Sequence, residues 1–86
     1  MFQCGEVVFS AAGHDKERFY AVVGVGEDGC PLIADGKRRK LQSPKRKNPK
    51  HLRPTGKQVE LAGIGSDRAL RRALAALGLT DPGPLE

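Results

Sequence analysis

Tryptophan is absent from this chain of 86 residues, and aromatic residues are few: Phe2, Phe9, Phe19 and Tyr20. A core must therefore be built mainly from Val, Leu and Ile, and a domain this small buries only a limited share of its surface. Little interior remains to wrap a small molecule, whose pockets usually need roughly 300 Å³ or more. No small-molecule substrate and no cofactor is expected. Cysteine is scarce as well. Cys4 and Cys30 form no pairing framework, which suits a reducing cytosol better than a secreted disulfide scaffold. Cys4, His14, Cys30 and His51 lack the close spacing that preorganises structural zinc, so no metal site is expected. Neither cysteine sits in a nucleophile motif and no pair of acids suggests hydrolysis, so no catalytic residue is expected and the chain is read as a non-enzyme. Long apolar runs are missing too. Met1 to Glu6 has no basic n-region, and nothing approaches the roughly 18 apolar residues that span a bilayer. These absences predict one cytoplasmic domain with no membrane partner.

What is abundant is positive charge, and it is segregated. From Lys37 to Lys57 there are ten Lys or Arg and no acid, while the remaining residues carry five bases against ten acids. A strongly positive segment in a mildly acidic chain is the footprint of a polyanion binder. The cations come in short groups: Lys37, Arg38, Arg39 and Lys40, then Lys45, Arg46 and Lys47, then Lys50, His51 and Arg53. Prolines at 44, 49 and 54 keep the run from coiling into one helix and stiffen it into an extended path. Extended cations suit phosphate contact. A second candidate is the loop holding Gly13, His14, Lys16 and Arg18, where Gly13 opens backbone conformations closed to other residues.

The first half reads as strands. Val7 to Phe9 is one apolar run, Phe19 to Val25 a second, and Leu32 to Ala34 a third. Gly24 marks a bend or bulge in the second, and Gly26 to Gly29 a tight turn. Asp35-Gly36 reads as another Asp-Gly turn. A short strand is expected around Leu41 and a last one around Leu52, before Pro54. Short strands between glycine turns suggest a compact antiparallel barrel.

The period changes after Ser66. Ser66 is a good N-cap and Asp67 suits the first turn. Leu70, Ala73, Leu74 and Leu77 make one apolar stripe, with Arg68, Arg71 and Arg72 off it and Gly78 as the C-terminal cap. Such a helix must dock on the barrel or on a partner.

Gly5, Val7-Val8, Gly13, Asp15-Lys16, Val22-Val23 and Leu32 to Gly36 together resemble a KOW motif, the β-loop-β element of certain ribosomal proteins and NusG-type factors. The extension Pro44 to Leu52 is similar to that of the small bacterial ribosomal-protein-like KOW proteins, relatives of archaeal and eukaryotic large-subunit proteins. The chain departs from the family pattern at Glu17, where a second glycine is common. The resemblance implies a mainly β, SH3-like antiparallel barrel over residues 1–58, including the basic extension. A linker over 59–65, a C-terminal α-helix over 66–78 and a disordered tail over 79–86 complete the reading. It also implies RNA binding, of structured or ribosomal RNA, through phosphate contacts from the basic strip and the first loop. The alternative is a protein-interaction module in which the helix is the anchor and the strip meets an acidic partner.

Overall fold

Alternating β-branched and aromatic residues commit the first half of the chain to strands. In the computed structural model, which describes residues 2–11 and 18–78, β1 spans Glu6–Ser10, β2 Arg18–Val25, β3 Pro31–Ala34, β4 Lys45–Arg46 and β5 Leu52–Gln58. A helix, α1, follows over Asp67–Ala76, and short 3-10 turns occur at Pro49–His51 and Leu61–Gly63. The five strands are antiparallel neighbours in the order β4-β3-β2-β1-β5. This is the small SH3-like barrel with one C-terminal helix that the sequence predicts.

The central strand is buried on both faces. Tyr20, Ala21 and Val22 of β2 are all inaccessible to solvent. On one face Val8, Tyr20, Val22, Ile33 and Leu52 form a cluster, with Phe2 against it. On the other, Val7, Ala21 and Ala34 meet Leu70 and Leu74 of α1, flanked by Val23, Leu41, Val59, Ile64 and Leu77. Because successive strand residues point to opposite faces, the adjacent pair Val7 and Val8 feeds both clusters. Residues 59–65 carry the Leu61–Gly63 turn, and their Val59 and Ile64 line the helix cluster.

Several local expectations hold. The β2–β3 register shifts between Val22 and Gly24, the bulge expected at Gly24. Gly26 and Cys30 close the turn with a 2.8 Å backbone hydrogen bond. Ser66 accepts from the Ala69 amide at 3.1 Å, and Gly78 ends the helix with φ +78°. Two expectations need correction. Leu41 lies in a turn, and the fourth strand falls at Lys45–Arg46, because the Leu41 amide is taken by a side chain from α1 instead of a strand ladder. The last strand does not stop at Pro54 but runs to Gln58. It lies at the sheet edge, where proline is tolerated. The Thr55 hydroxyl donates to the Val7 carbonyl at 2.8 Å, in the stretch between Glu6 and Val8 where the β1–β5 register shifts. The expected tail over 79–86 lies outside the described residues.

The buried helix stripe gives a first prediction. Leu70→Ala should cost about 2–5 kcal/mol, since it empties a fully enclosed site. Urea melts should show a lower midpoint with an unchanged slope; an unchanged midpoint would mean that the helix does not contribute to the core.

Candidate nucleic-acid interface

Antiparallel order sorts strand ends. With β1 and β3 running one way and β2, β4 and β5 the other, the ends of β1 and β3 share one end of the barrel with the starts of the other three strands. Arg18 opens β2, Lys37 to Lys40 follow β3, Lys45 opens β4, and Lys50, His51 and Arg53 bracket the start of β5. The Ala11 amide donates to the His51 carbonyl at 2.8 Å and ties two of these segments together. Cations spread along the sequence are thus gathered at one end. Lys37, Arg38, Lys40, Lys50, His51 and Arg53 are exposed there, while Arg18, Arg39 and Lys45 are half-buried. Gly13, His14 and Lys16 lie outside the described residues.

Two cations of the strip depart from this pattern. Lys47 is only 5% exposed, with its amide donating to the Pro31 carbonyl at 3.0 Å, so the strip is not open over its whole length. Arg46 points to the opposite end, where its guanidinium forms a double contact with Asp28 at 2.5 Å. The arginine holds the Asp28 carboxyl below the usual carboxylate range, and the carboxylate raises Arg46 in turn. Both groups are therefore charged at neutral pH, and their attraction is lost as pH falls through the depressed Asp28 value.

The loop after β3 is built with care. The Asp35 carboxylate accepts hydrogen bonds from the amides of Lys37, Arg38 and Arg39, each at 2.9 Å, and the Asp35 and Gly36 amides both donate to the Arg39 carbonyl at 3.0 Å. Asp35-Gly36 therefore opens a wide carboxylate-centred loop, not a two-residue hairpin turn. Helix α1 braces it from outside. Asp67 accepts from the Leu41 amide at 2.7 Å, and Arg71 donates to the Gly36 carbonyl at 2.6 Å. Gly36 has φ +79°, and a Cβ there would overlap the Asp67 carbonyl oxygen, so glycine is required on both counts. Four consecutive cations are held on a fixed backbone.

The sequence reading missed Asp35, Gly36, Asp67 and Arg71 as parts of this site. The available signal was the aspartate preceding a glycine and polar residues, since such a side chain readily bonds amides a few positions ahead. The brace from α1 had no local signal. Because Leu70 and Leu74 are spent in the core, what the helix shows to a partner is Arg68 and Arg72, both exposed. Among the described residues no group of His, Cys, Asp or Glu is placed to hold a metal ion, and no helix is long and apolar enough to cross a membrane.

Asp35 separates two physical accounts of this surface. If charge alone mattered, removing a carboxylate from this cationic end would strengthen its binding of anions. If the fixed loop matters, Asp35→Ala should weaken RNA affinity and lower stability by about 1–3 kcal/mol, because three amides lose their acceptor. Filter binding and thermal melts of the same variant give both answers.

No family model matches the chain. Three archaeal proteins named large ribosomal subunit protein eL14 are similar to it. Those of Staphylothermus marinus and Desulfurococcus amylolyticus are each 28% identical over 79 residues, covering 92% of this chain and 82% of the relative. That of Pyrobaculum neutrophilum is 31% identical over 77 residues, covering 90% and 75%. The alignments run through nearly the whole barrel and helix, beyond the KOW stretch alone.

Proposed function

This chain belongs to the family of the large ribosomal subunit protein eL14, and from that premise we propose that it binds structured or ribosomal RNA through its cationic end. The observation that carries this is the convergence of Lys37 to Lys40, Lys50, His51 and Arg53 on one end of the barrel, four of them on a loop locked by Asp35 and Asp67. Lys and Arg neutralise phosphates, and a preformed loop loses little freedom on contact. The protein works by binding, not catalysis, and takes no cofactor or small-molecule substrate. Contacts from Gly13, His14, Lys16 and Arg18 belong to the same proposal through the KOW resemblance, as does the narrower likeness to small bacterial KOW proteins. A place on cytoplasmic ribosomes follows from it. Tyr20 is fully buried and offers no platform for bases, so contact with the phosphate backbone supplies most of the affinity.

The test is the salt dependence of binding. With about four to six phosphates contacted, a fourfold rise in salt should weaken affinity on the order of 10²-fold. Replacing the exposed Arg38, Lys40 and Lys50 by Ser should flatten the salt slope by about one unit per cation and leave stability within about 0.5 kcal/mol. Binding indifferent to salt, or a slope untouched by the triple variant, would sink the assignment.

A further inference from the structure

Phe9 and Phe19 are two of the few aromatic residues in the chain, and neither is part of the two core clusters. They are register partners on β1 and β2, with ring centroids 5.1 Å apart and planes inclined at 56°. Both remain half-buried. On the other side of β1, β5 places Arg53 opposite Phe9. Paired residues of antiparallel strands share a face, so Phe19, Phe9 and Arg53 form one row across three strands. The row lies one residue in from the cationic end, beside Arg18 and Leu52, which flank Ser10 in the last register.

Both rings are only half-buried, so part of each stays open to solvent, and an exposed arginine stands next to them. Aromatic rings and guanidinium planes are the surfaces on which nucleobases stack, and such stacking tolerates any base because every base has a π-face. A fully paired helix keeps its bases stacked on one another; a bulge or loop offers one free.

We propose that Phe9, Phe19 and Arg53 form a stacking site for a single unpaired RNA base next to the phosphate-binding end. The proposal rests on the RNA reading above and deepens it: the RNA class becomes a helix with an unpaired nucleotide. The Phe pair supplies the π surface, and Arg53 stacks on the base or meets its 5′ or 3′ phosphate.

The test uses the full chain and two hairpin RNAs with the same stem, one carrying a single bulged 2-aminopurine. Wild type should bind the bulged hairpin about tenfold more tightly than the plain one and quench the 2-aminopurine fluorescence. The double variant Phe9→Leu, Phe19→Leu keeps apolar bulk without π faces. It should bind the plain hairpin as wild type does and lose both the preference and the quenching. The double variant Phe9→Tyr, Phe19→Tyr should retain both, which secures the result if the leucine variant folds poorly. Equal binding of the two hairpins by wild type, a preference that survives in the leucine variant, or one lost in the tyrosine variant overturns the stacking site while RNA binding stands. Failure to bind either hairpin overturns the RNA reading itself.

Discussion

A ten-residue helix is marginal by itself in water, and what fixes α1 is the entry of Leu70 and Leu74 into the cluster formed by Val7, Ala21 and Ala34. That contact covers a sheet face which would otherwise be apolar and open. It also sets the helix rotation, and with it the positions of Asp67 and Arg71. Those two residues reach the loop after β3 only because the leucines one turn away are locked. The geometry of the cationic loop is therefore inherited from an apolar contact.

The acids at the cationic end have a role that counting charges would miss. Asp35 and Asp67 lie beside a dense group of Lys and Arg, yet each spends a carboxylate oxygen on backbone amides. Charge-assisted bonds of this kind are among the stronger ones. They hold the backbone while the side chains of Lys37, Arg38 and Lys40 extend into solvent. Asp28 does the opposite at the far end, where it binds a cation directly and withdraws it.

The parts legible in the sequence were those governed by short-range rules. Strand period, the Gly24 bulge, the Ser66 cap and the leucine stripe all depend on neighbours within a few positions, and each is present. The misreadings share a different cause. Leu41 has an apolar side chain suited to a strand, but its amide is claimed by Asp67, 26 residues away. Lys47 sits in a basic run that reads as surface, yet its place beside Pro31 draws it inward. Pro54 reads as a strand terminator, and only the edge position of β5 makes it harmless. Long-range pairing decides these cases, and one sequence does not display it. The gathering of cations at one end was likewise implicit in strand order, not in charge order.

The topology that sorts strand ends also places the exposed acids Glu27, Asp28 and Glu60 away from the loop after β3. Among the described residues Glu6, Glu27, Asp28 and Glu60 lie near the start of β1, the β2–β3 turn and the exit of β5, an end they share with Arg46 and Lys57. Helix α1 points its N-terminus at the cationic loop, so its own dipole adds positive potential there. The far end is thus of mixed charge, whereas the exposed charged side chains of the loop after β3 (Lys37, Arg38 and Lys40) are all cations. A one-signed patch of this kind acts within a Debye length, about 8 Å at physiological salt, and such patches steer oppositely charged partners before contact. Where that patch sits is set by strand order, not by the chain's net charge.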